Sequence, residues 1–142
     1  MILYEKSCGA VVFTIEDNLI KYVIIESLEG IFGFPKGHME DNETKLDTAK
    51  REIFEEVGIN VDFIKGFRTI DEHPLPNRPN VIKQVVYFLA NYNNQKIKYQ
   101  ESELLSAKLM TYDEAIDNFQ FDSSKRILYE ANEFILKNVL RR

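Results

Sequence analysis

Two runs rich in β-branched and aromatic residues open the apolar pattern, GAVVFTI (9–15) and IKYVIIES (20–27). Such side chains suit a pleated surface, and the polar EDN (16–18) between them predicts a hairpin turn. EGIFGFPKGHMEDNE (29–43) then carries three glycines and a proline, the composition of a loop. From Glu43 the period lengthens. Leu46, Ala49, Ile53 and Val57 recur at helical spacing, with Asp41 or Asn42 as the expected N-cap and Gly58 just past the end. Short apolar segments follow at 59–64, 66–70 and 81–90, the last two separated by the proline-rich HPLPNRPN (73–80), a predicted loop. SAKLMT (106–111) predicts a further strand. Thr111 and Glu114 stand at capping-box spacing and predict a short helix. The final segment, 122–140, is amphipathic, with Ile127, Leu128, Ala131, Phe134, Ile135 and Val139 on its apolar side. This order predicts an α+β domain over residues 1–142, a mixed sheet covered by helices on both faces.

Composition narrows the partners. A chain of 142 residues with 44% hydrophobic and 29% charged positions has the profile of a globular protein. Its net charge of −5 argues against a duplex nucleic-acid partner, which needs a basic surface. A small anion can still be held by a few local cations or a metal. Cys8 is the single cysteine, so no internal disulfide forms. No apolar span reaches 18 residues, and Glu5 and Lys6 interrupt the first apolar residues. The expectation is a cytoplasmic protein with no membrane contact, and the pattern sets no oligomeric state.

REIFEEVGI (51–59) departs from the electrostatics of a helix end. Glu52, Glu55 and Glu56 crowd the turns before Gly58, where unpaired carbonyls favour Lys or Arg instead. On a helical projection Glu52 and Glu56 lie beside the apolar stripe, about 40° apart, and Glu55 further round the same side. Like charges at i,i+4 destabilise a helix by a few tenths of a kcal/mol. Two readings remain: a solvated acidic face paired with Lys50 and Arg51, or a site for a hard divalent cation, which takes oxygen ligands. GFPKG favours the second. It delivers Lys36, a point charge for a phosphate, and Gly37, whose backbone freedom lets a carbonyl turn inward.

Residues 37–59, GHMEDNETKLDTAKREIFEEVGI, resemble the Nudix box: G, five residues, E, seven residues, R-E, an aliphatic, any residue, E-E, any residue, G, an aliphatic. Every fixed position is present: Gly37, Glu43, Arg51, Glu52, Ile53, Glu55, Glu56, Gly58 and Ile59. The resemblance implies an α/β/α sandwich and hydrolysis of a nucleoside diphosphate linked to another group, with Mg²⁺ or Mn²⁺. By that analogy Glu52, Glu55, Glu56 and the Gly37 carbonyl hold metal, Arg51 orients a neighbouring glutamate, and Glu43 closes the loop onto the helix. Glu55 and Glu103 are the two candidates for the general base. Glu103 belongs to ESEL (101–104), where many members supply an extra acid that also serves the metal, and Glu101 is its substitute.

Beyond the box the chain is similar to the asymmetric diadenosine tetraphosphate hydrolases, through CGAVVF, FPKGH, KGFR (65–68), VVYFLA (85–90) and TYDEAIDNFQF (111–121). In that group a lysine before the VVYFLA strand contacts phosphate, the place of Lys83, and an aromatic after the short helix stacks on adenine, the place of Phe121. The plain alternatives are a solvated strand end for Lys83 and core filling for Phe121. Tyr87 reads as core, because both faces of VVYFLA are apolar. Departures exist. Many diadenosine polyphosphate hydrolases carry a stacking tyrosine in the loop that here reads DEHPLPNRPN, and His73 is its only ring. Pro74 instead resembles the ADP-ribose pyrophosphatase subgroup, and the usual tryptophan before GFPKGH is replaced in its neighbourhood by Phe32. The expected partner is a small nucleotide. Other substrates of the family are ADP-ribose or an ADP-sugar, a nucleoside triphosphate and the 5′ end of RNA. A non-catalytic nucleotide-binding module is disfavoured because every box glutamate is retained.

Overall fold

The computed structural model describes residues 1–140. The first hairpin joins β1 (Leu3–Glu16) to β2 (Leu19–Ser27) through Asp17 and Asn18, both at positive φ, 51° and 66°. That pair of left-handed residues gives a two-residue turn whose twist matches the strands. β1 and β2 pair only near this turn, from Phe13↔Tyr22 to Glu16↔Leu19. Beyond it they diverge. β3 (Phe32–Gly33) then pairs with β2, and β4 (Lys36–His38) with β1 at Ser7–Gly9. The segment expected to be an irregular loop therefore contributes two short strands that fill a split in the sheet.

Helix α1 (Lys45–Val57) follows, then β5 (Asp62–Phe63), β6 (Thr69–Leu75) and β7 (Arg78–Asn91). β7 runs parallel to β1 from Val81 to Asn91, and β8 (Leu104–Thr111) lies antiparallel to β2. Helices α2 (Tyr112–Asn118) and α3 (Asp122–Asn138) end the order. The period of two in β1 sends its side chains to opposite faces. Val11 and Phe13 join Ala115, Ile127, Leu128 and Ile135 of α2 and α3 in one core. Ala10 and Val12 join Ile53 and Val57 of α1 in the other. The result is a mixed sheet between two helical layers, as the apolar pattern predicts.

Three expectations need correction. The N-cap of α1 is Thr44, not Asp41 or Asn42: its hydroxyl accepts from the Asp47 N–H while the Asp47 carboxylate accepts from the Thr44 N–H. Asn42 instead takes a left-handed turn conformation at φ 71°. Leu46, assigned to the buried stripe, is 45% exposed, and Thr48 is buried in its stead. Leu46 borders a shallow apolar pocket with Phe63, Phe67 and Phe88 instead. HPLPNRPN is not a long loop. β6 continues through His73 and Pro74 to Leu75, with only Pro76 and Asn77 between it and β7. β6 pairs with β7 alone, and a strand with one free edge tolerates proline because no ladder donor is lost on the open side. The Thr111–Glu114 capping box of α2 is present as predicted.

Candidate active site

The box acids stand on α1, at the split in the sheet. Arg51 is the hub. Its Nε donates to Glu43 at 2.6 Å, Nη2 donates to the other Glu43 oxygen at 3.0 Å and to the His38 carbonyl at 2.9 Å, and Nη1 donates to Glu52 at 2.8 Å and Glu55 at 3.1 Å. Glu43 also accepts from the Thr48 hydroxyl and the Glu40 N–H, which ties the loop to the helix. The bond from Arg51 holds the Glu43 carboxyl down at about 2. Arg51 itself is pushed above its ordinary value, first by Glu43.

Gly37 faces Glu52 so closely that any side chain there would have to displace the carboxylate. A Cβ at position 37 would lie 2.0 Å from the Glu52 carboxylate. Gly37→Ala therefore forces the carboxylate or strand β4 aside, and at least a tenfold loss of turnover is expected, on the order of what a misplacement of about 1 Å produces. Steady-state kinetics beside a circular-dichroism spectrum checks it; wild-type turnover in the alanine variant would show that the close approach is unnecessary.

Glu56 is half-buried, and its Oε1 accepts the Lys36 N–H at 3.3 Å. Burial pushes its carboxyl up to about 7, against the opposing pull of Lys36. Burial also raises Glu52, with the charges of Glu55 and Glu103 adding to it. The upward push that Glu103 exerts on both acids places that loop residue within their electrostatic reach. Its segment is anchored to the end of α1: the Lys98 and Gln100 N–H groups donate to the Val57 and Glu56 carbonyls, and Gly58 caps at φ 72°. Backbone donors thus satisfy the helix end that lacks basic side chains. Glu101 and Glu103 are both exposed.

These residues fit a hard divalent cation by donor type: carboxylate oxygens plus a carbonyl brought close by a residue without a side chain. Burial raises both neighbouring carboxyls despite the opposing pull of Arg51 on Glu52 and of Lys36 on Glu56, so their ionised forms are only partly compensated. Among the described residues no three acidic, histidine or cysteine side chains already converge on one point. Glu52 and Glu55 are turned toward Arg51 instead.

A cleft of about 750 Å³ opens on the α2/α3 face, lined in part by Phe34, Lys36, Asp71, His73, Lys83 and Phe121. Lys36 is the residue common to cleft and acids: its side chain lines the cleft, while its N–H binds Glu56. Burial and then the charge of Lys83 lower the Lys36 ammonium below its ordinary value. Lys83 and His73 are register partners on β7 and β6, so both reach the same wall. Phe121 caps α3 without a side-chain bond and is 54% exposed, so the core-filling reading of it fails. Tyr87 is buried, as its apolar strand predicts. Phe32 also lines the cleft. Asp71 and Glu72 are cleft residues that the pattern did not single out, because they sit at the start of a predicted loop.

A NUDIX domain is matched over residues 9–131. The chain belongs to the Nudix family. With every box acid in place it is a pyrophosphohydrolase by class. Among curated Nudix relatives, the asymmetrical bis(5′-nucleosyl)-tetraphosphatase of Sus scrofa is 30% identical over 142 residues, covering 92% of this chain and 95% of that protein. The NAD-capped RNA hydrolase NudC of Mannheimia succiniciproducens is 37% identical over 90 residues, 63% of this chain but 32% of that protein. The Nudix fold is shared with a C. elegans Ap4A hydrolase binary complex at a TM-score of 0.85 and 19% identity, over 94% of this chain and 98% of the other. No helix among the described residues is long and apolar enough to cross a membrane.

Proposed function

We propose that this Nudix hydrolase cleaves a bis(5′-nucleosyl) tetraphosphate asymmetrically, diadenosine tetraphosphate to ATP and AMP, with Mg²⁺ or Mn²⁺. The observation that carries the reading is Lys36, which joins a nucleotide-sized cleft to the half-buried Glu56 of the box. Similarity over nearly the whole length to a tetraphosphatase supports the substrate class.

Lys36 and Lys83 hold phosphate oxygens along the cleft, and the Phe121 ring, with His73 on the facing wall, takes a nucleobase. Glu52, Glu56 and the Gly37 carbonyl, with Glu55 and Glu103 at the open side, are the ligands for the divalent ion. The chemistry that ion would supply is charge neutralisation at the diphosphate and a lowered pKa for water. Glu55 or Glu103 would serve as the general base toward the attacking water, both being exposed enough to exchange a proton with solvent. Arg51 sets the carboxylate directions. The second reading is an ADP-ribose substrate, favoured by Asp71 and Glu72, whose carboxylates suit ribose hydroxyls better than added phosphates.

Product analysis over a nucleotide panel with Mg²⁺ decides. ATP plus AMP from diadenosine tetraphosphate is expected, with Lys83→Ala raising KM at least about tenfold through loss of a charge-assisted contact. Efficient cleavage of ADP-ribose alone would overturn the assignment.

A further inference from the structure

Tyr87 has a hydroxyl that the packing of its ring does not explain. The side chain is 5% exposed, and its ring meets Phe34 edge-on at 5.5 Å, so its orientation is fixed. Tyr22, the other deeply buried tyrosine of the same core, donates its hydroxyl to Asn132 at 2.5 Å. The Tyr87 hydroxyl has no such partner among the described residues. Nor is it sealed in, since no enclosed side-chain N or O there lacks a hydrogen bond. A buried phenol normally finds a partner, and Tyr87 lines the open cleft.

Register puts Tyr87 on the same cleft wall as Lys36 and Lys83. Lys83, Val85 and Tyr87 alternate on β7, so all three face the cleft. Gly9 of β1 pairs with Tyr87 on one side and with Lys36 on the other. Lys36 and Tyr87 therefore flank a residue without a side chain, about 10 Å apart by two strand spacings. A Cβ on Gly9 would meet the Pro35 carbonyl at 2.1 Å and Lys36 Cβ at 2.6 Å, so this close packing depends on the glycine. Glu56 and Asp71 lie within electrostatic reach of the phenol and, after burial, push its ionisation upward. It stays a neutral donor, which suits an anion.

We propose that the Tyr87 hydroxyl is a substrate-binding donor that hydrogen-bonds a phosphate oxygen between Lys36 and Lys83. The inference rests on the reading of the cleft as a polyphosphate site. Its role is to fix the phosphate chain relative to the box acids, and no proton leaves the phenol.

Tyr87→Phe removes the oxygen and keeps the ring against Phe34; Tyr22→Phe is the matched control. KM and kcat for the best nucleotide of the panel, Tm, and the Kd for inorganic tripolyphosphate with Mg²⁺ by calorimetry are the readouts. For Tyr87→Phe, a Tm within about 1 °C of wild type, with KM and the tripolyphosphate Kd each raised about tenfold, is expected. Tyr22→Phe should show the reverse, a lowered Tm with unchanged KM and Kd. Unchanged KM and Kd in Tyr87→Phe would overturn the proposal, as would a Tm loss of the size seen for Tyr22→Phe. Should wild type cleave no nucleotide, the functional reading falls, and the tripolyphosphate comparison alone still decides the role of Tyr87.

Discussion

Glu56→Gln is expected to lower turnover by about a thousandfold or more while making the metal-free protein more stable at pH 8, an opposition that follows from burial. The loss is of the size produced by removing a group that stabilises transition-state charge. The stability gain comes from linkage. Burial raises the folded carboxyl of Glu56 to about 7, above its unfolded value near 4.5. The protonated form is therefore favoured in the folded state. Its contribution is fully present below the unfolded value and is lost as pH rises through about 7. With part of the shift discounted for solvent near the split in the sheet, metal-free wild type should lose about 1 to 2 kcal/mol between pH 5 and pH 8. Glutamine stays neutral, and its amide oxygen can still accept the Lys36 N–H, so the variant should show a flatter profile. Denaturant melts in EDTA at pH 5 and pH 8 measure this directly. Mg²⁺ should raise the Tm of wild type at pH 8 and raise that of Glu56→Gln less. Full activity in the variant would sink the assignment of Glu56 to the site, and parallel pH profiles would sink its burial-driven penalty.

The same buried carboxylates explain which parts of the molecule were legible before the fold was known. The box is contiguous, and α1 converts its spacing into geometry: Glu52 and Glu56 lie together on one edge of the stripe that Ile53 belongs to, and Gly58 ends the turn. The cleft is not contiguous. Lys36, Asp71 and Lys83 come from three strands and Phe121 from the start of α3, and only the fold brings them together. Lys83 and Phe121 were assigned through family resemblance, whereas Asp71 and Glu72 had no local signal. Tyr87 shows why an apolar strand conceals a polar role: the pattern indicates burial but not whether the oxygen is bonded. The proline-rich segment misled for a related reason. Proline speaks against a central strand, yet β6 is bordered by β7 alone, where that objection lapses. Thr44 won the cap over Asp41 and Asn42 because Asp47 completes its reciprocal bond, a detail that a shift of two residues hides.

Arg51→Ala is expected to lower Tm by about 10 °C in the absence of metal, corresponding to a loss of about 2 to 3 kcal/mol. The guanidinium is only 24% exposed and serves three carboxylates and one carbonyl at once. Its removal leaves Glu43, Glu52 and Glu55 facing one another with no cation between them, and leaves the His38 carbonyl without that donor. Lysine should not restore the loss, since one ammonium cannot span Glu43 on one side and Glu52 and Glu55 on the other as the planar fork does. Turnover should fall as well, because Glu52 and Glu55 take their directions from Nη1. Millimolar Mg²⁺ should recover part of the lost Tm, replacing one positive charge by another beside the same acids. That recovery separates a positioning role from a substrate contact. If Arg51 touched substrate instead, Arg51→Ala would raise KM with Tm unmoved, and Mg²⁺ would stabilise variant and wild type alike.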